Sequence, residues 1–417
     1  MRLWPRMRLQ IGWADLAAGA LACLTTGKRE DLVARAEAYW PGERALLCFS
    51  VRSGFDLLLQ ALELRPGDEV IFSAMNINGM VNIVKREGYQ PVPIDFDIDS
   101  LTPTAESLKR AITPRSKVLI VAHLFGCRLQ FDHLVDAAHE AGLIVVEDCA
   151  QVFNGLDYPG NPKADLTMFS FGPLKNATAL GGALAVVRKP ALLEKMRAIQ
   201  AAYPIQPTKR QAKRVFQFAG LKLLSLPLVF GLMQRFYAAQ GKDFEDQVSE
   251  RVRNVAKYKK AKSLRIRPSA ALTALLCRRL QRFDPAVLAR RAAKGRRLRD
   301  LLAGSLPLPG QANAHHDYWA FSAMVEQPLP FVAEMRRHGF DAANLPRNQA
   351  VAAPPDRPEL HPQVAAGLLA KLVVLPCYDG MPDSELERMA TLVRKIVPRT
   401  AAFEARAAEL EQQKNKN

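Results

Sequence analysis

Between residues 45 and 190 the chain alternates short, β-rich apolar runs with longer stretches of helical periodicity, and no other feature limits its fold as strongly. The runs Glu69–Phe72, Lys117–Val121 and Leu143–Val146 are bounded by Gly, Pro or Asp, and the segments Phe55–Leu64, Ala105–Ala111 and Phe131–Ala141 carry apolar residues at helical spacing. Strands and helices in that order build βαβ units, hence a mixed, mostly parallel sheet with helices on both faces. Ala183–Val187 reads as a further strand returning to that sheet. Residues 191–300 read mostly as helix rich in Lys and Arg. A shorter α+β section follows, with strands at Tyr318–Val325 and Val373–Leu375 and helices at Pro330–His338 and Ser384–Ile396. The expected architecture is α/β: a large domain over 1–262 and a smaller C-terminal α+β domain over 263–417, a division that suits 417 residues.

Composition narrows the function classes. With 49% apolar and 24% charged residues the chain is a folded globular protein. Its formal charge of +17 favours anionic partners such as phosphorylated substrates or an acidic membrane surface. No nucleic-acid-binding motif or aromatic-interleaved basic face accompanies that charge, so nucleic acid is not an expected partner. The six cysteines (Cys23, Cys48, Cys127, Cys149, Cys277, Cys377) are scattered, without a CxxC pair or histidines at zinc spacing. Neither a metal site nor a disulfide framework is expected, and the compartment is read as reducing and cytoplasmic. The N-terminus starts basic and turns apolar, but Asp15 interrupts it and no small-residue cleavage site follows, so it is not read as a secretory signal.

Three segments fall where loops leave the carboxyl ends of the expected strands, the usual ligand side of such sheets. These are Glu147–Gln151 (EDCAQ), Phe169–Asn176 (FSFGPLKN) and the stretch from Phe49 (FSVRSGFDLLLQAL), where Arg52 and Ser53 open a helix. A helix start with a cation beside it suits a phosphate. Singly, each segment has an ordinary reading: a helix start, a strand-end cap, a solvated lysine. Together, an anion cup, a carboxylate and a partly desolvated lysine supply what pyridoxal 5′-phosphate requires: a hold on its phosphate, a counter-charge for its ring nitrogen, and an amine for its aldehyde.

The stretches LRPGDEVIF (Leu64–Phe72), EDCAQ, FSFGPLKNATALGGALAVV (Phe169–Val187), YWAFSAMV (Tyr318–Val325) and VVLPCYDGMPDSELERM (Val373–Met389) keep an order and spacing that resembles the DegT/DnrJ/EryC1/StrS aminotransferases. The resemblance runs over Phe49–Val187 and Arg265–Val397, about two thirds of the chain. It implies fold type I, pyridoxal phosphate as cofactor, and a homodimer whose sites are completed across the subunit boundary. Carried over by position, it implies that Lys175 is the Schiff-base lysine and proton shuttle. Asp148 pairs with the ring nitrogen, Gln151 meets the ring hydroxyl, Ser170 donates to the phosphate, and Ala150 lies against one ring face. Relatives with histidine in place of this lysine are dehydratases, so Lys175 implies transamination. The amino donor would be an amino acid, glutamate in most of the family, and the acceptor a ketone on a sugar.

The sequence departs from the family at the rim of this constellation. The Ser-Gly-Thr cradle falls on Ser50, Val51 and Arg52, which shifts the phosphate hold to Arg52 and the Ser53 amide. The stacking aromatic falls on Ile77, where apolar contact survives and π-stacking does not. The asparagine that reaches the partner's phosphate falls on Arg265, read equally as a phosphate ligand and as a solvated helix residue. His123, in AHLFG, falls on the substrate side, although a lone histidine after a strand is more often structural. Tyr318 and Trp319 are assigned to packing of the small domain. These substitutions motivate a second hypothesis, a non-catalytic relative serving as a regulator or scaffold in envelope assembly.

Finally, residues 203–262 form a basic, apolar insertion. Lys209–Lys242 carries phenylalanines between basic flanks, and the uncharged run Leu223–Gln234 is too short to span a bilayer and contains Pro227. Two readings stand: an interfacial segment on the inner face of a membrane, joined by the N-terminus with Trp4 and Trp13, or a segment that packs in a dimer interface or covers the active site. The first widens the acceptor class to lipid-linked substrates of envelope polysaccharide or lipid biosynthesis.

Overall fold

The computed structural model describes residues 3–25, 27–224, 263–344 and 348–397, together with 226, 229, 231, 232 and 236. Eight strands lie in the first half of the chain: β1 (Ala45–Cys48), β2 (Glu69–Ser73), β3 (Met75–Ile77), β4 (Gln90–Ile94), β5 (Ser116–Ala122), β6 (Ile144–Asp148), β7 (Leu166–Ser170) and β8 (Ala183–Val187). Seven form one sheet in the order β1-β8-β7-β6-β5-β2-β4. The pairs β2/β4, β2/β5, β5/β6 and β6/β7 are parallel, whereas β8 runs antiparallel to both β7 and β1. Every strand except β8 therefore points the same way, and the carboxyl ends of β1, β6 and β7 open on one edge of the sheet. The interior strands are buried on both faces, which explains their unbroken runs of Val, Ile and Leu.

Four shorter strands follow: β9 (Phe321–Met324), β10 (Ala343–Asn344), β11 (Asn348–Ala350) and β12 (Leu372–Leu375). Strands β10, β12 and β9 make an antiparallel sheet, backed by the helices Pro328–Arg337 and Asp383–Ile396. Their core contains Leu298, Leu302, Phe321, Met335, Phe340 and Met389. Strand β11 instead crosses over and pairs antiparallel with β3, setting Asn348 opposite Ile77. The two units are thus stitched together beside the ligand edge.

The sequence division at 262/263 precedes a helix, Ala270–Gln281, whose buried Leu272, Leu275, Leu276 and Leu280 pack into the large unit with Trp40, Phe153, Phe169 and Phe171. The next helix, Ala286–Leu302, packs against Asp383–Ile396 instead. Packing therefore changes hands between residues 281 and 286. The N-terminus also crosses: Trp4 donates its amide to the Gly339 carbonyl and sits in the small unit's core.

Candidate active site

Ser50 follows β1 and caps the helix Val51–Leu62, its Oγ accepting from the Ser53 amide at 3.2 Å. The two hydroxyls also meet, with Ser50 Oγ and Ser53 Oγ 2.9 Å apart. The Ser53 amide, expected on a phosphate, is therefore committed to the cap, and Ser53 is buried. Arg52 is the cation in the first turn of this helix. Its side chain lies against Gly79 in the first turn of the helix Asn78–Arg86, where an added Cβ would stand 2.9 Å from Arg52 Cδ. Glycine at 79 makes the room that the larger side chain at 52 requires.

Asp148 ends β6. Its Oδ1 accepts from the Ala150 amide at 2.9 Å, and Oδ2 carries no hydrogen bond among the described residues. Burial raises its pKa; the Ala150 amide and the charge of Lys175 act in the opposite direction. Gln151, two residues beyond Cys149, accepts the Phe125 amide on Oε1 at 2.6 Å, which fixes the side chain and leaves its amide N–H groups for other use. From β7, Ser170 stands beside Gly172, where a Cβ would lie 3.6 Å from Ser170 Oγ and 3.9 Å from Lys175 Cγ. Lys175 follows on the same loop, its amide bonded to the Gly172 carbonyl. Desolvation lowers the amine from 10.5 to about 8; Asp148 opposes that fall and Arg52 adds to it. Arg52, Asp148 and Lys175, distant in sequence, thus share one electrostatic neighbourhood.

The site contains two contributors that sequence reasoning missed. The Trp319 ring lies 4.5 Å from Lys175 Nζ, and its Nε1 donates to the Leu174 carbonyl at 2.8 Å. Trp319 therefore does not belong to small-domain packing alone; Tyr318 does, buried and stacked between His316 and Phe321. Gly126 permits this approach. It has φ of +96°, and a Cβ there would meet Asp317 Oδ1 at 2.0 Å and the Trp319 amide at 2.6 Å. Asn176, next to Lys175, donates to the Phe153 carbonyl and to Asp317, and accepts from Arg291, which itself pairs with Asp317 at 2.8 Å. This network ties the lysine loop to residues 317–319.

One expected site residue lies elsewhere, and a second is engaged within its own subunit. His123 is buried, with Nδ1 accepting from the Leu129 amide at 3.0 Å, so that Nε2 donates to Glu147 Oε1 at 2.8 Å. With both ring nitrogens occupied in the core, His123 does not face substrate. Arg265 pairs with Asp56 and Glu87 in a cluster shared with Arg86. That arrangement is an ion-pair network within the subunit, whereas the contact expected of Arg265 is with the partner's phosphate. Ile77 is exposed at the start of its helix, and Ala150, next after Cys149, is half-buried.

His123, Glu147 and Cys149 bring potential metal ligands within 4.8 Å of one another. Hydrogen bonds already fill the carboxylate, however: Oε1 accepts from His123 and Tyr158, and Oε2 from the Asn161 amide and Thr167. Burial alone would raise Glu147, but these donors, His123 foremost, outweigh it and hold the pKa at about 2. The cluster is a satisfied core network.

The sequence pattern defining the DegT/DnrJ/EryC1/StrS aminotransferase family matches residues 21–224, the segment that carries every one of these groups except Trp319, Asp317 and Arg291. The match takes in just under half of the chain, which over that segment is similar to that family. Its members are pyridoxal-phosphate-dependent aminotransferases, and the Oδ2 of Asp148 and the amide nitrogen of Gln151, neither hydrogen-bonded among the described residues, fit that cofactor together with the low-pKa amine of Lys175. The fold agrees along nearly the whole length. DesV of S. venezuelae, solved in complex with a ketimine intermediate, is 22% identical, with a TM-score of 0.67 over 96% of this chain and 100% of its own. A sugar aminotransferase-like protein from Streptococcus pneumoniae in its PLP form is 18% identical, TM-score 0.68, over 95% and 100%. The E. coli GDP-4-keto-6-deoxy-D-mannose-3-dehydratase with bound hydrated PLP is 14% identical, TM-score 0.67, over 94% and 100%. A fold that also hosts a dehydratase leaves the choice of reaction to individual side chains.

Proposed function

We propose that this aminotransferase moves an amino group from an amino acid, glutamate, to a ketone on a sugar or lipid-linked sugar in envelope polysaccharide or lipid biosynthesis. In this reading it works as a cytoplasmic homodimer at the inner face of the membrane. The observation that carries the reaction is the meeting of Lys175 and Asp148 at one sheet edge, the first with its pKa lowered to about 8 and the second with an unbonded carboxylate oxygen.

When bound, pyridoxal phosphate supplies an electron sink for the carbon that loses its proton. Asp148 holds a positive charge at the ring nitrogen. Gln151, braced by the Phe125 amide, presents an N–H to the ring oxygen. Arg52 and the Ser170 hydroxyl take the phosphate. Lys175 moves a proton between substrate carbon and its own Nζ, a task suited to a pKa near working pH. Trp319 and the Asp317–Asn176 network hold that amine over the site and keep water from one side of it. Lysine at position 175, where dehydratase relatives have histidine, favours amino transfer over dehydration.

The test is the first half-reaction. Glutamate added to cofactor-loaded protein should release one 2-oxoglutarate per site, and Asp148→Asn should slow that step by about 10²–10⁴-fold while cofactor remains bound. Full-speed turnover by Asp148→Asn, or no keto acid from wild type with any amino acid, would remove the proposal.

A further inference from the structure

We infer that the paired helices Trp13–Leu21 and Thr208–Leu224 form a docking face for an anionic lipid bilayer. This deepens the membrane-face part of the proposed function and does not depend on the transfer chemistry.

The two helices pack against each other and both rest on Ala270–Gln281. They run antiparallel: Gly19 lies beside Val215, where a Cβ would stand 3.4 Å from Cγ2, while Lys222 Nζ sits 5.8 Å from the Trp13 ring. Gly19 also abuts Leu275 of the supporting helix. Because both inward faces meet one support, the outward faces share a side.

Those outward faces follow helical spacing. On the first helix and the turn after it, Trp13, Ala17, Leu21 and Leu24 are exposed at i, i+4, i+8 and i+11. On the second, Lys209, Lys213, Phe216, Gly220 and Leu223 are exposed at i, i+4, i+7, i+11 and i+14. The large apolar members (Trp13, Leu21, Leu24, Phe216 and Leu223) are each 52–83% exposed, an unusual grouping for a face that meets only water.

Charge chooses the occupant. Thr208–Leu224 contains no acidic residue, and of its cations Lys209 and Lys213 are exposed and Lys222 is half-buried, while Arg214 is buried and Arg210 lies over the Phe49 ring. Residues 12–24 contain one acid, Asp15, which turns inward to pair with Arg278 at 2.8 Å and Arg279 at 2.6 Å. The face therefore presents apolar groups and cations with no carboxylate from either helix. That combination suits the headgroup boundary of a negatively charged leaflet, where Trp and Phe enter and lysines meet phosphate. No helix among the described residues is long and apolar enough to cross a membrane, so the contact is interfacial.

The experiment is flotation of the purified, cofactor-loaded full chain with phosphatidylcholine vesicles, with or without about one third phosphatidylglycerol. We expect at least about tenfold more protein to rise with the anionic vesicles, and about a tenfold loss for Leu21→Glu combined with Phe216→Glu. Lys209→Glu with Lys213→Glu should weaken binding and flatten its salt dependence. Circular dichroism and cofactor absorbance on the same samples report folding and site integrity, so failure of the docking face is distinguishable from failure of the enzyme assignment. Wild-type protein that stays at the bottom with both vesicles overturns the inference, as does an apolar-to-Glu pair that floats normally. A pair that floats normally but loses self-association in light scattering assigns the face to a second copy of the chain instead.

Discussion

Replacing Trp319 by alanine should raise the pKa of Lys175. The indole covers the amine at 4.5 Å, and burial is the leading cause of the depression from 10.5 to about 8. At pH 7 an amine of pKa 8 is neutral roughly one time in ten, against roughly one in 3,000 at 10.5, an outer limit of ~300-fold in the reactive form. Two effects of the truncation oppose each other. Water reaching Nζ favours the cation, whereas loss of the cation–π contact, worth about 0.5–1 kcal/mol, disfavours it by less than one pKa unit. Desolvation is the larger, so the net expectation is a rise of about one unit and about tenfold less neutral amine at pH 7. The assay mixes cofactor with the cofactor-depleted protein across pH and follows covalent attachment by absorbance. Wild type should show a midpoint near 8 and Trp319→Ala one near 9. A wild-type midpoint at or above 10, or a variant midpoint that stays put or falls, would refute this account of the amine.

Two other substitutions probe the surroundings. Gly79→Ala places a Cβ 2.9 Å from Arg52 Cδ, so the guanidinium must shift and cofactor affinity should drop about tenfold in equilibrium titration. The cofactor-depleted protein should nonetheless hold or gain about 0.5–1 kcal/mol in urea unfolding, because alanine suits a helix better than glycine. For Glu147, held at about 2 in the fold against about 4.3 unfolded, the stabilising contribution is complete above the unfolded value and disappears as pH falls from about 4.5 towards 2. Glu147→Gln should flatten that acid slope, and His123→Ala should cost about 3–5 kcal/mol by stranding the buried carboxylate; urea titrations between pH 2 and 6 measure both.

The parts of the fold legible in the sequence were those where local pattern and tertiary burial agree. The interior strands β2, β5, β6 and β8 announce themselves as apolar runs, and the helix Ala105–Ala111 matches its expected ends. Strand β4 was hidden because Gln90-Pro91-Val92-Pro93-Ile94 carries two prolines, tolerable only because β4 lies at the sheet edge and pairs with β2 alone. Strand β1 is four residues long at the opposite edge, and β3 and β11 exist through a pairing across some 270 residues. At the site, Lys175, Asp148, Gln151 and Ser170 follow strand ends that the local pattern locates. Trp319 was not legible, since its partner is 144 residues away and depends on the backbone conformation at Gly126. The role of His123 turned on a buried carboxylate, Glu147, that only the folded chain brings to it, and Arg265 meets the buried Asp56 in the same way.

The central claim, that Lys175 is the amine joined to the cofactor, is tested most directly by borohydride reduction of the cofactor-loaded protein followed by peptide mass mapping. A single pyridoxyl adduct on the peptide containing Lys175, absent from Lys175→Ala, is the expected result. An adduct on any other lysine, or none while cofactor absorbance persists, would contradict it.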